Sequence, residues 1–139
     1  MAGPRQAGYQ APQRLILDAG AVIALARGDR RARAFLTRAL ELKAQVEIPV
    51  VVVAETVRGG PRDAPVNRIL KAIGTVPAAR EVHGRIAGQL LAKARSRSTV
   101  DALVVAHAVE AGGAHVLTGD HEDFARLAAS HPEVRIHAL

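Results

Sequence analysis

Four acidic residues lie within or beside apolar segments of the chain, and they are the most informative feature of the sequence about its chemistry. Asp18 follows LIL, Glu55 lies within VVVVAETV, Asp101 begins DALVVAHAV, and Asp120 comes two residues after HVLT. An ionised carboxylate is costly to bury among aliphatic side chains without a counter-charge, and grouped carboxylates repel one another. Four such placements in one chain predict a bound cation.

A purely structural role is the alternative to metal binding for each acid, and it fits some of them better than others. Asp18 could cap a helix by accepting hydrogen bonds from its free amides, and Asp101 could lie in a first helical turn, where the dipole favours negative charge. Glu55 is the hardest to explain in this way, because residues 49–54 before it carry no polar side chain. A surface aspartate at position 101 would not need ALVVA directly after it.

Asp120 and Asp123 have the spacing of a helix cap followed by an acid in the first turn. For Asp123 the structural reading is favoured, so it could at most support the metal ligands from outside. The other acids have polar or turn-rich surroundings, and we expect them on the solvated surface: Asp29, Glu41, Glu47, Asp63, Glu81, Glu110, Glu122 and Glu133. The predicted metal-binding and catalytic residues are Asp18, Glu55, Asp101 and Asp120.

A site built only from carboxylates favours Mg²⁺ or Mn²⁺ over zinc, which prefers sulfur and imidazole ligands. Such an ion acidifies bound water and bridges to phosphate oxygens, so phosphodiester hydrolysis is the natural reaction class. The chain has a formal net charge of +6, with 16 Arg and 3 Lys, which suits a polyanionic partner. It has no cysteine, which excludes disulfides and thiolate zinc sites.

Length and composition indicate one domain, since 139 residues with 49% hydrophobic content supply a single core. Residues 1–13 are rich in Gly, Pro and Gln and predict a flexible N-terminal tail, so the domain is assigned to 14–139. No apolar run approaches the roughly 18–20 residues that span a bilayer, and no membrane contact is expected. A cytoplasmic location is compatible with the absence of cysteine.

Short apolar strands alternate with segments of helical periodicity along the chain. Strands are predicted for RLILD, VEI, HVLT and VRIHA, and TVP could be a further strand end. The segment PVVVVAETVRGG is ambiguous, because its β-branched residues favour a strand whereas Pro49 could begin a helix. The alternation predicts an α/β fold with a central, mainly parallel sheet and helices on both faces. Sites in such folds lie beyond the carboxyl ends of the strands, where Asp18 and Asp120 are expected.

Four segments, in order, resemble the PIN-domain nucleases, and among them the VapC-type toxins of bacterial toxin-antitoxin pairs. They are LILDAGAVIAL, IPVVVVAETVRGG, STVDALVVAHAVEAG and VLTGDHEDFARL, which together span residues 15–127. The resemblance implies that Asp18, Glu55, Asp101 and Asp120 form the acidic metal site, that residues 50–58 are helical, and that Thr118 orients Asp120. One position departs from the family pattern, since Gly20 stands where the family often has Ser or Thr.

The resemblance further implies a Mg²⁺- or Mn²⁺-dependent endoribonuclease, a cognate antitoxin protein as partner, and a homodimer. Two basic groups should flank the acids, namely Arg58 with Arg62, and Lys93 with Arg95 and Arg97. Each of these residues could contact RNA phosphate or simply suit a helix end and solvent. The alternative is a non-catalytic PIN-like protein that binds RNA or a partner, for which Gly20 is the best argument. A receiver-like signalling domain is disfavoured, because the last Lys, Lys93, lies well before the late strand HVLT.

Overall fold

The computed structural model describes residues 13–73 and 75–139, and within them it contains four β-strands and seven α-helices. The strands are β1 (Arg14–Leu17), β2 (Gln45–Glu47), β3 (Ala114–Thr118) and β4 (Val134–Ala138). The helices are α1 (Ala19–Ala26), α2 (Arg30–Glu41), α3 (Val50–Thr56), α4 (Ala64–Ile73), α5 (Glu81–Ala94), α6 (Thr99–Glu110) and α7 (His121–Leu127). A short 3-10 turn, Pro61–Asp63, precedes α4.

The four strands form one parallel sheet in the order β2-β1-β3-β4. From β1 the chain moves outward in one direction to β2, and from β3 it moves outward in the other direction to β4. Parallel crossovers are almost always right-handed, so connections that run in opposite directions place their helices on opposite faces of the sheet. The predicted α/β fold is confirmed, and its topology switches direction between β1 and β3, where ligands of such sheets bind.

The centre of the sheet is apolar on both faces. Leu15, Ile16 and Leu17 of β1 are completely buried, as are Val105 of α6 and Val116 of β3. A strand covered on both faces needs a continuous apolar run instead of an alternating one, which is why LIL precedes Asp18 without a polar break. Burial of this run holds the ends of β1 and β3 in a fixed relation and so positions the residues that follow them.

The ambiguous segment after β2 is helical from Val50 to Thr56, two residues short of the end that the family resemblance implies, because Val57 is extended. Pro49 precedes α3 with φ −58°, and Val52 is fully buried. Tertiary packing therefore overrides the β preference of four consecutive valines. The possible strand end TVP is not a strand, although Thr75 and Pro77 accept backbone hydrogen bonds from Ile48 and Val50 at 3.0 and 3.2 Å.

Two acids expected on the surface are buried instead. Glu47 is 4% exposed, forms an ion pair with Arg14 and lies 3.9 Å from His107 Nε2. Asp63 is 7% exposed and accepts hydrogen bonds from the backbone amides of Arg58 and Gly59. The partner of Glu47 lies on another strand and the partners of Asp63 lie in a turn, so neither pairing could be recognised from adjacent residues.

The predicted N-terminal tail, residues 1–13, lies outside the described residues except for Gln13, and the division at 13/14 stays a prediction. Among the helices that the structure describes, none combines the length and the apolar character needed to traverse a bilayer.

Candidate metal centre

A buried hydrogen-bond chain joins the carboxyl ends of β1 and β3. Asp18 is 7% exposed and caps α1, with Oδ1 accepting from the Ala21 amide at 2.9 Å. Its other oxygen, Oδ2, accepts from the hydroxyl of Thr118, which is completely buried at the end of β3. The Thr118 oxygen in turn accepts from the Asp120 amide at 2.8 Å. Thr118 thus fixes the Asp18 side chain and the backbone of Asp120 together, a wider role than orienting Asp120 alone.

Three carboxylates meet where α6 and α7 begin. Asp101 lies in the first turn of α6, Asp120 is the N-cap of α7, and Asp123 lies in the first turn of α7. One carboxylate oxygen of each lies within 4.8 Å of the others. The capping predicted for Asp120 is present, since its side chain accepts from the Asp123 amide at 3.3 Å. Asp123 thus lies in the same group as two of the predicted ligands, while the assignment of individual acids as metal ligands stays a prediction.

Of the four acids predicted from the sequence, three lie close enough to Asp101 for their charges to raise its pKa. Burial is the largest cause that raises the pKa of Asp101 to about 6, followed by the charges of Glu55, Asp18, Asp120 and Asp123. Glu55 is exposed near the end of α3, but partial loss of hydration, followed by the Asp18 charge, raises the pKa of its carboxyl, and Arg58 opposes this change.

The pKa of Asp18 is also raised, and burial is again the largest cause. Hydrogen bonds from the Thr118 hydroxyl and from backbone amides act in the opposite direction. Asp18 and Glu55 are outside the 4.8 Å group, but their effects on the Asp101 pKa place them in the same acidic neighbourhood. Chain segments far apart in sequence therefore converge here, as the topology predicts.

The donor set fits a hard divalent cation. The tight group offers only carboxylate oxygens, the ligands that Mg²⁺ and Mn²⁺ prefer. The raised pKa of Asp101 means that its negative charge is disfavoured where it lies, and a cation would relieve this cost. Asp101, Asp120 and Asp123 could hold such an ion directly, with Asp18 and Glu55 completing the negative surroundings.

Two arginines border the acids, one of which the sequence did not indicate. Arg58 follows α3 and donates to the carbonyl oxygens of Ala54 and Val57, so it closes the end of that helix. Arg126 of α7 was not predicted; its Nη1 lies 3.8 Å from Asp123 Oδ1 and its Nη2 donates to the Ala94 carbonyl. Its spacing of three residues from Asp123 on a helix is the signal that could have indicated this pair.

Gly20 departs from the family pattern for a reason of packing. A Cβ added to Gly20 would lie 3.0 Å from the amide nitrogen and 3.1 Å from the Cα of Gly119, which belongs to the turn between β3 and α7. The start of α1 therefore packs directly against this turn. Thr118 supplies a buried hydroxyl to Asp18 from the neighbouring strand.

We expect Gly20→Ser to lower the free energy of unfolding by about 1 kcal/mol, because the added side chain must push the Gly119 backbone away. Urea denaturation would measure the change. Gly60→Ser is the matched control, since nothing lies within 4 Å of a Cβ there and the backbone has φ −120°, which any residue adopts. A Gly20→Ser protein as stable as the control would contradict this packing constraint.

Comparisons with solved structures reveal similar folds in toxin-antitoxin complexes. A chain of VapBC2 from Rickettsia felis, bound to a promoter DNA fragment, aligns with a TM-score of 0.71 at 15% identity, covering 90% of this chain and 98% of that one. A chain of a toxin-antitoxin complex from Klebsiella pneumoniae aligns with a TM-score of 0.65 at 20% identity, covering 86% and 94%. DNA-bound VapBC from Salmonella typhimurium gives 0.66 at 17% identity, covering 90% and 97%.

These identities establish similarity of fold, and among curated proteins none matches the chain at a significant level. The family assignment comes from a different comparison. The PIN domain family model matches residues 15–130, which include all of β1 except its first residue, the whole acidic neighbourhood and α7. With this match over most of its length, and with a parallel sheet whose switch point carries clustered carboxylates, the chain belongs to the PIN domain family.

Proposed function

We propose that this PIN domain is a metal-dependent endoribonuclease that hydrolyses RNA phosphodiesters. The observation that carries the proposal is the group of Asp101, Asp120 and Asp123, with carboxylate oxygens within 4.8 Å of one another and the pKa of Asp101 raised to about 6. Repulsion of this kind is a cost in the free protein that a divalent cation would offset. The net charge of +6 supports a polyanionic substrate, and the choice of RNA is carried over from the resemblance.

In the proposed reaction, water adds to phosphorus as the bond to the leaving ribose oxygen breaks. One proton of the water passes to a carboxylate, and the leaving oxygen takes up a proton from solvent. Bound Mg²⁺ or Mn²⁺ supplies positive charge at the phosphate and acidifies the attacking water. Asp101, Asp120 and Asp123 would hold the ion, and the Thr118 hydroxyl keeps the Asp18 side chain in a fixed orientation. A Glu55 carboxylate oxygen is suited to accept a proton from water, because partial loss of hydration and the Asp18 charge raise its pKa above the ordinary value.

Purified protein should cleave total RNA in Mg²⁺ or Mn²⁺, stop when EDTA removes the metal, and resume when either ion is added back. Sequencing of the new RNA ends would map the cleavage position. Thermal unfolding supplies a readout without catalysis, since an ion that binds only the folded chain raises the unfolding midpoint. If the folded protein binds RNA but leaves it intact in the presence of either ion, the proposal is refuted and the non-catalytic alternative is favoured.

The proposal includes a toxin role restrained by an antitoxin protein. Support comes from the fold similarity to chains of VapBC and other toxin-antitoxin complexes. Expression of the chain alone should arrest bacterial growth, and co-expression of a short open reading frame next to its gene should relieve the arrest. Unimpaired growth at verified expression of active nuclease would argue against this role.

A homodimer is proposed from the resemblance of the sequence to the VapC-type PIN toxins. Light scattering coupled to size-exclusion chromatography would measure the mass in solution, and a strictly monomeric protein at high concentration would refute the dimer.

A further inference from the structure

Arg95 adopts a backbone conformation that is costly for its residue type. It ends α5 in the left-handed region at φ 52° and ψ 46°, and the Ser96 amide donates to the Leu91 carbonyl at 3.0 Å to close the helix. Glycine usually occupies this position, because any side chain is strained there. Among the non-glycine residues that the structure describes, only Lys43 shares a positive φ, at 59°.

The Arg95 side chain is exposed and its charge is not used within the described chain. No hydrogen bond or ion pair in residues 13–73 and 75–139 involves its guanidinium group. Other arginines do pair with carboxylates, namely Arg14, Arg38, Arg80, Arg85 and Arg126. Neither a salt bridge nor packing therefore explains why an arginine occupies a position that suits glycine.

The location of Arg95 supplies an explanation. The carbonyl oxygen of Ala94, directly before it, accepts from Arg126 Nη2 at 3.1 Å, and Arg126 Nη1 lies 3.8 Å from Asp123 in the acidic group. The loop that begins at Arg95 runs directly into α6, whose first turn carries Asp101. Arg95 therefore lies at the border of the candidate metal centre, which is at the carboxyl ends of the strands. Lys43 instead precedes the amino end of β2, at the opposite end of the strands.

We propose that Arg95 binds a phosphate of the RNA strand next to the cleaved bond, an inference that rests on the proposed nuclease function. A cluster of carboxylates repels the RNA backbone, so a cation beside it is needed to hold the strand in place. A guanidinium group suits this role because its planar donors match two phosphate oxygens. Backbone strain is tolerated at such a position because the side chain is required there.

The test compares Arg95→Gly with Lys43→Gly. Both variants remove one positive charge and both relieve a left-handed backbone position, so their unfolding midpoints should be equal to or above that of the wild type. Binding is measured by fluorescence anisotropy of a fluorescein-labelled single-stranded RNA of mixed sequence, in an Asp101→Asn background that prevents cleavage. Arg95→Gly should weaken binding about tenfold and reduce the slope of log affinity against log salt by about 0.7.

Lys43→Gly should match the parent protein in affinity and in salt dependence. In the cleavage-competent background, Arg95→Gly should raise KM while kcat stays close to the wild-type value. The phosphate next to the cleaved bond does not react, so the contact holds the substrate and the transition state equally well. Equal RNA affinity and equal KM for the two variants would overturn the role of Arg95 while leaving the nuclease proposal standing. Wild-type protein that neither binds nor cleaves RNA would overturn both.

Discussion

Replacing Asp101 by Asn is expected to reduce metal-dependent RNA cleavage by more than about 100-fold, because removing a metal ligand should cost more than removing its supporting partner. Asp101 belongs to the group whose carboxylate oxygens lie within 4.8 Å of one another, and burial together with the charges of four nearby acids raises its pKa. Asparagine keeps the size of the side chain but removes the charge that holds the cation. Cleavage assays over a range of Mg²⁺ concentrations would separate weakened metal binding from a slower reaction.

The same substitution should stabilise the metal-free protein at neutral pH. The pKa of Asp101 is raised to about 6 from 3.8, so the folded state disfavours its charged form. A group with a raised pKa contributes stability that is fully present below the unfolded value and lost as the pH rises through the folded value. The Asn variant should therefore exceed the wild type by about 1–3 kcal/mol above pH 6, and the difference should vanish below pH 4.

Glu122→Gln is the matched control for Asp101→Asn. Glu122 is an exposed acid of α7 beside Asp123, but it is not a member of the carboxylate group. The control removes the same charge close to the site and should preserve cleavage and its metal dependence. Full activity in Asp101→Asn, measured beside this control, would remove Asp101 from the site.

Thr118→Val should lower cleavage or metal affinity by about 10- to 100-fold and destabilise the fold by about 1–3 kcal/mol. Valine preserves the shape, but the completely buried position loses the hydroxyl that donates to Asp18 and accepts from the Asp120 amide. Asp18 Oδ2 and the Asp120 amide would then each lose this partner. The lost hydrogen bond lowers the pKa of Asp18 in the wild type, so the stability difference should be largest above that pKa and shrink in acid.

Thr118→Ser separates the role of the hydroxyl from that of packing. Serine keeps the donor and acceptor while losing one methyl group, so it should restore metal affinity even if it lowers stability. Denaturation at several pH values and Mg²⁺-dependent shifts of the unfolding midpoint would measure the two effects. If Ser and Val reduce metal affinity equally, the hydroxyl does not orient Asp18.

Most of the architecture could be predicted because strands buried on both faces have a distinctive sequence pattern. The runs at β1, β3 and β4 were predicted from their apolar residues, and the parallel sheet followed from their alternation with helices. Local propensity failed at α3, where four valines favour a strand, because packing of Val52 and hydrogen bonds to the segment after α4 decide the conformation.

The candidate site was predictable in its chemistry but less so in its geometry. Acids in apolar surroundings were recognisable from the sequence, because charge without a local partner is unusual. The membership of the tight carboxylate group was not, since Asp123 has a sufficient local explanation as a first-turn acid of α7. Glu47 was missed although Val46 and Ile48 flank it, because its ion-pair partner Arg14 lies 33 residues away in the sequence.

By itself, the sequence determined the α/β alternation, the single core, and a set of acids suited to a hard cation. These features depend on residue type and short-range spacing. Only the tertiary structure decided which carboxylates come within 4.8 Å of one another, that Thr118 joins Asp18 to Asp120, and that Gly20 packs against Gly119. Distances between side chains on different elements depend on how those elements pack, and neighbouring residues in the chain carry little information about that packing.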